Sequence, residues 1–298
     1  MAQAPATPKL KRYALRAAAA LAPSLAARLS PAPSEQAALA LRAATRGKAR
    51  PRAEKVIFLV PLVGPHHVGD WQAVTERLQA TIDSFRRQDG AWEAVICCQE
   101  RPPLPDDPRL RWLPFDDPTP GNDKWRKLAA LCDDLAARET GAAYVMSFDA
   151  DDLLRDGTVS EMLERQEAGY LVESGYVMDH ATGDVALAGP RSLTKPLRKP
   201  FWKLCGSCTA LLHDPDLPES AAFLREMTAH EHRMFPFLAR LAGRSLSALR
   251  RPAVLYVLNH GENFGARRGR VGFKTRFVQR FPVDPKDWAA AREQFPEP

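Results

Sequence analysis

Three apolar runs, each the length of one strand and separated by segments of helical spacing, set the limits on what this chain can fold into. Val56–Val63 (V-I-F-L-V-P-L-V), Trp92–Cys98 (W-E-A-V-I-C-C) and Ala142–Phe148 (A-A-Y-V-M-S-F) are continuous in apolar character rather than alternating. That pattern predicts strands buried on both faces, as in a parallel sheet covered by helices. Pro61 falls near the end of the first run, where a missing backbone donor is tolerated. Between the runs, Trp71, Val74, Leu78, Ile82 and Phe85 recur at helical spacing, as do Trp125, Leu128, Leu131 and Leu135. A short strand is expected at Leu110–Leu113. The alternation predicts an α/β fold, Rossmann-like, with a mostly parallel central sheet and helices on both faces. Right-handed crossovers put the three strand ends on one edge. The loops after Val63, Cys98 and Phe148 then converge on one crevice, the usual place for a ligand in such a sheet.

The third run ends abruptly in acid: S-F-D-A-D-D-L-L places Asp149, Asp151 and Asp152 within four positions. Carboxylates this close repel one another and are driven toward protonation unless a cation lies among them. An oxygen-rich cluster suits Mg²⁺ or Mn²⁺, with substrate phosphates completing the coordination. The competing reading is a solvated turn in which Asp152 or Asp156 caps a helix. No G-x-G-x-x-G and no G-x-x-x-x-G-K-[ST] occurs in the body of the chain, which argues against dinucleotide oxidoreductases and P-loop kinases.

Charge is unevenly placed. Residues 1–52 hold ten Lys or Arg and one acid, Glu35, so the tail carries +9 and the remainder −3 of the net +6. A basic tail without a reading module does not predict nucleic-acid binding. The tail is Ala/Pro-rich, with a basic amphipathic helix over Leu10–Leu29 interrupted at Pro23, and reads as a disordered or loosely helical extension. Its competing role is a peripheral contact with an anionic membrane. Its apolar run Ala17–Ala22 is too short to span a bilayer. Five cysteines, an odd number, argue against a disulfide framework. Cys205–Cys208 reads C-G-S-C but runs into apolar T-A-L-L and has no second ligand pair, so reduced cysteines are expected. Further along, helices are expected at Thr158–Ala168, Ala221–Met227 and Glu231–Ala242, and strands at Tyr170–Met178, Ser207–His213 and Ala253–Asn259. Pro190–Lys203 reads as a mobile loop, and residues 264–282 carry Arg267, Arg268, Arg270, Lys274, Arg276 and Arg280 without an acid. A basic segment of this kind either closes over phosphates or is a solvated face.

From Lys55 to Phe264 the chain resembles bacterial glycosyltransferases of the GT-A fold, most similar to family 2. The resemblance rests on V-I-F-L-V-P-L-V as the opening strand and on S-F-D-A-D-D-L-L as a D-x-D-D signature. It extends to Gly206–Leu212 followed by H-E-H-R-M-F, and to V-L-Y-V-L-N-H-G-E-N as the closing strand with its histidine. It implies a nucleotide-sugar donor, Mn²⁺ or Mg²⁺, and transfer of one sugar to a polysaccharide, lipopolysaccharide or other glycan acceptor. Asp149 matches the Asp near the donor ribose or metal, Asp151 the metal ligand, Asp152 its support and His260 a further ligand. Glu231 matches the catalytic base of an inverting transfer; His230 and His232 flank it and titrate near neutrality. Pro61 and Val63 fall at the nucleotide loop. The second strand ends C-C-Q-E, so Gln99 or Glu100 takes the place of the family's nucleotide-reading acids, and Lys124 and Lys127 lie where basic residues contact the nucleotide.

The resemblance thus implies a basic extension at 1–52, a transferase domain at 53–264 and a second basic extension at 265–298. It implies a cytoplasmic enzyme, with the basic tails near membrane-linked acceptors. The rival readings are a sugar-phosphate nucleotidyltransferase and a non-catalytic binding protein on a transferase fold.

Overall fold

The computed structural model describes residues 3–117, 119, 121–138, 141–261 and 271–297. Helices α1 (Lys9–Leu21), α2 (Pro23–Arg28) and α3 (Pro33–Ala44) precede the body. There follow β1 (Lys55–Pro61), α4 (Trp71–Arg86), β2 (Trp92–Cys98), β3 (Leu110–Pro114), α5 (Lys124–Ala137), β4 (Ala143–Ser147), β5 (Asp152–Leu154) and α6 (Thr158–Arg165). The second half holds β6 (Gly169–Leu171), β7 (Gly175–Asp179), β8 (Val185–Ala188), β9 (Thr209–His213), α7 (Pro218–Thr228), α8 (Phe235–Leu241), β10 (Ser247–Ala248), β11 (Val254–Leu258), α9 (Val271–Arg280) and α10 (Pro285–Arg292).

The seven-stranded sheet has the order β10-β6-β9-β4-β1-β2-β3. Six strands point one way and only β9 runs against its neighbours β4 and β6. This is the mostly parallel α/β sheet the apolar runs predict. Every residue from Val56 to Val60 is buried, because helices cover both faces of the central strand. Phe58 stacks on Phe85 of α4 at 4.1 Å, and Phe148 meets Phe85 edge-on at 5.1 Å. Asp70 caps α4, its side chain accepting from the Ala73 N–H at 2.9 Å. Register pairs Val56 with Trp92 and with Tyr144, so β1, β2 and β4 end on one edge.

The expected strand at Tyr170–Met178 is two strands in two sheets. β6 belongs to the large sheet, whereas β7 joins a four-stranded sheet of order β5-β11-β7-β8. The chain crosses over at Gly175, where a Cβ would come within 2.4 Å of the Phe201 ring. The expected helix at Glu231–Ala242 starts later, with a 3-10 turn at His232–Met234 before α8.

The N-terminal segment is not a loose extension. Leu15, Ala19, Ala26, Ala38 and Leu41 are buried in the main core, because small alanines let α1–α3 approach α7 and α8 closely. Glu35 is fully buried, yet its carboxylate accepts from Thr7 Oγ1 at 2.5 Å and from the Ala32 N–H at 2.7 Å. All five cysteines are buried and free. No helix of the described residues is long and apolar enough to cross a membrane. The arginines expected to form a basic loop at Arg267, Arg268 and Arg270 lie outside the described residues.

Buried histidines make the fold acid-sensitive, His213 among them. His213, 2% exposed, has Nδ1 at 3.2 Å from Ser220 Oγ, and burial pushes its pKa down to about 4. A base with a depressed folded pKa binds its proton more readily in the unfolded chain. Stability is therefore lost as pH falls from about 6.5 to about 4, by roughly 3 kcal/mol for this group. Urea unfolding across that range should show a smaller acid loss in His213→Gln than in wild type; parallel pH profiles would refute the assignment.

Candidate functional site

The shared edge of β1, β2 and β4 opens into a cleft of about 680 Å³, within the ordinary range for a small-molecule site. Pro61 and Val63 wall it from the end of β1, Lys124 and Lys127 from α5, and Asp149 and Asp151 from the loop after β4. Glu231, His232 and His260 face the same space. One carboxylate oxygen from each of Asp149, Asp151 and Asp152 lies within 4.8 Å of the others.

Each acid has a different environment. Asp149 Oδ1 accepts from Lys124 Nζ at 2.5 Å, and the Asp149 N–H donates to Ser207 Oγ at 2.8 Å. Asp151 Oδ2 lies 2.9 Å from His260 Nε2. Burial acts to raise the Asp151 pKa, but the hydrogen bond and charge of His260, with Lys124, outweigh it and hold the group below the usual range. Asp152 is fully buried; its Oδ2 accepts from Ser207 Oγ at 2.5 Å and Cys205 Sγ at 3.0 Å. Burial, then the charges of Asp151 and Asp149, push its pKa well up. Its Oδ1 is buried with no hydrogen-bond partner. A hard-oxygen donor set with one unsatisfied buried oxygen fits a divalent cation such as Mg²⁺ or Mn²⁺.

The surrounding elements hold these acids in place. Asn259 (φ 57) and Gly261 (φ 90) flank His260 in left-handed backbone. Arg77 on α4 donates to the His260 carbonyl at 2.7 Å. The two left-handed residues turn the chain so that His260 returns toward Asp151. Gly206 is bare because a Cβ there would stand 3.3 Å from Asp149 Oδ2. Cys205 and Ser207 of the C-G-S-C run form a hydrogen-bonding platform under the acids. Thr81 of α4 anchors the loop by donating to the Asp152 carbonyl at 2.8 Å.

The other expected site residues divide. Lys127 is buried, with Nζ donating to Asp123 Oδ2 at 2.8 Å and to the Leu62 carbonyl at 2.5 Å. Gln99 Nε2 donates to Asp123 Oδ2 at 2.7 Å just outside the cleft lining, and Glu100 is exposed outside it. Glu231 stands at the start of the 3-10 turn. His232 faces the cleft, its pKa pushed down to about 3 by burial and then by Lys124, so it is a poor proton acceptor at neutral pH. His230 is not part of the site: it is 5% exposed and bonds Ser34 Oγ of α3 through Nε2 at 2.7 Å. His230, bridged to Ala4 ahead of the 3-10 turn, faces the N-terminal helices. Tyr256, and Lys274 from the basic segment at 264–282, also line the cleft. Tyr256 of β11 accepts a hydrogen bond from Lys274 Nζ of α9.

No protein-family model matches the chain, and no curated protein matches it in sequence. Among solved structures it is similar to a 4-diphosphocytidyl-2C-methyl-D-erythritol synthase, at 17% identity and TM-score 0.33, over 73% of this chain and 97% of that one. It is also similar to the glycosyltransferase GlyE of Streptococcus pneumoniae TIGR4, at 10% identity and TM-score 0.33, over 82% of this chain and 65% of that one.

Proposed function

We propose that this chain is a metal-dependent glycosyltransferase that moves a sugar from a nucleotide-sugar donor to a glycan or lipid-linked acceptor. The observation that carries most of this reading is the placement of three carboxylates within 4.8 Å of one another, where three parallel strands end in one cleft. In this reading Asp149 and Asp151 hold Mg²⁺ or Mn²⁺, His260 orients Asp151 or joins it as a ligand, and Asp152 supports both from beneath. A bound divalent ion would supply charge neutralisation for the departing nucleoside diphosphate. Lys124, beside Asp149, adds a second positive charge there.

Glu231 is the proposed base. It accepts the proton of the acceptor hydroxyl as that oxygen bonds to the anomeric carbon. The bond from that carbon to the donor phosphate oxygen breaks in the same displacement, which inverts the centre. Leu10 and Leu21 of α1, 84% and 87% exposed beside Lys9, Lys11 and Arg12, are the surface through which a peripheral membrane contact would be made.

A thermal-shift panel of UDP, GDP, CDP and TDP, each with and without Mn²⁺, tests the donor site. One diphosphate is expected to stabilise the protein only with Mn²⁺, by about 2.7 kcal/mol at a hundredfold excess over Kd. No shift from any of the four in a folded sample would refute an active donor site and favour the binding-protein alternative.

A further inference from the structure

On the opposite edge of the large sheet lies a second pocket, of about 300 Å³. Asp214, which lines it, directly follows β9, whose His213 pairs with Ala143 at the start of β4. The pocket is therefore at the far end of the strand from the acidic cluster. Its other polar walls are Lys48 and Arg50, from the link between α3 and β1, and Arg244 after α8.

Arg244 is the anomaly. It is 4% exposed, and its Nε is buried with no hydrogen-bond partner. Among the described residues its guanidinium makes no ion pair; Asp214 acts on it only as a more distant charge, opposed by Arg50. The backbone explains how it comes to be inside. Gly243 takes φ 75, the Gly243 N–H bonds the Arg240 carbonyl at 3.1 Å, and the Arg244 N–H bonds the Ala239 carbonyl at 2.8 Å. These are the paired bonds of a Schellman ending, whose next position ordinarily packs an apolar side chain back on the helix. Here that inward position holds a cation. A buried charge without a close partner opposes folding, and two further cations beside it add to that. With Asp214 counted, the pocket walls carry a net charge of +2.

We propose that this pocket is a second ligand site, taking a phosphoryl group against the Arg244 guanidinium with Arg50 and Lys48 as added counter-charges. A guanidinium fork matches a phosphoryl group in geometry as well as charge. The pocket joins the α3–β1 link to the turn after α8, so an occupied site fastens the N-terminal helices to the body. It neither uses nor requires the donor cleft.

The test uses the full chain carrying Asp151→Ala, in EDTA and phosphate-free buffer, so that the cleft contributes nothing. Inorganic pyrophosphate is the soluble probe; phosphatidylcholine vesicles with and without phosphatidic acid are the lipid probe. Pyrophosphate is expected to raise the melting temperature, with a Kd at least tenfold weaker after Arg244→Met and measurably weaker after Arg50→Ala at the exposed rim. Sedimentation with phosphatidic-acid vesicles that depends on Arg244, without a soluble shift, would support the site and assign the phosphoryl group to a lipid headgroup. Arg244→Met alone should melt at or above its parent in anion-free buffer, since an unpaired buried charge is replaced by a side chain of similar shape. An equal pyrophosphate shift in Arg244→Met, or no response of the parent to either probe, would overturn the proposal. Neither result would bear on the Mn²⁺-dependent nucleotide shift of the wild type.

Discussion

Asp151→Asn is expected to abolish Mn²⁺-dependent binding of the nucleoside diphosphate and to lower sugar transfer by roughly a thousandfold. The same change should alter the stability of the metal-free protein little, because the Asp151 charge that His260 and Lys124 favour is also one that pushes Asp152 up. Three carboxylates within 4.8 Å, one of them fully buried, repel one another. The Asp152 carboxyl is pushed well up by burial and then by Asp151 and Asp149. Asparagine keeps the shape of Asp151 and its hydrogen bond with His260 while removing one charge from that cluster. The two readouts therefore separate the role of Asp151 in binding from its role in folding. Melting curves in EDTA, then in Mn²⁺ with the diphosphate identified by the panel, provide both. A retained metal-dependent shift would sink the assignment of Asp151 as a ligand. A loss of several degrees in EDTA would show instead that the acids are a structural network.

The strand edge that carries the cleft was legible because buried parallel strands have a plain signature: Val56–Val60 is apolar at every position since both faces are covered. The acidic turn was legible for the same reason, being the point where that signature stops. What lies around it was not. Thr81 and Ser84 interrupt the apolar face of α4, and Gln88 follows just past its end. Thr81 and Gln88 donate to the carbonyls of Asp152 and Arg155, and Ser84 Oγ accepts from the Leu154 N–H. A polar stripe inside an apolar face is a visible signal, but the segment it clamps is a long-range partner that spacing cannot name. The N-terminal helices misled for a different reason. Basic and Ala-rich composition reads as solvated, and nothing local marks Glu35 as a buried carboxylate with two donors waiting. For H-E-H, which histidine enters the cleft depends on the long-range partners of His230, Ser34 and Ala4, which no periodicity encodes.

The largest stability effect is expected at Lys127, which the sequence suggests as a nucleotide contact and the structure places in the scaffold. Its side chain is 1% exposed, that of Asp123 is 9% exposed, and the pair is 2.8 Å apart. The ammonium also holds the Leu62 carbonyl just past β1, and Asp123 holds Gln99 just past β2. One ion pair therefore ties together the ends of two strands and the first turn of α5 beside the cleft. Lys127→Met removes the cation and leaves Asp123 with only the Gln99 amide, a loss of about 3–5 kcal/mol. Against a typical total of about 5–15 kcal/mol, that is enough to lower the urea midpoint substantially with little change in the slope. The double variant Lys127→Met/Asp123→Asn removes the stranded charge as well and should recover most of the loss, because a neutral Asn still accepts from Gln99. Urea unfolding of wild type, the two single variants and the double closes the cycle. A single-variant cost below about 1 kcal/mol, in the range of an exposed pair, would mean that Lys127 is more hydrated than its burial indicates and is free to reach a phosphate.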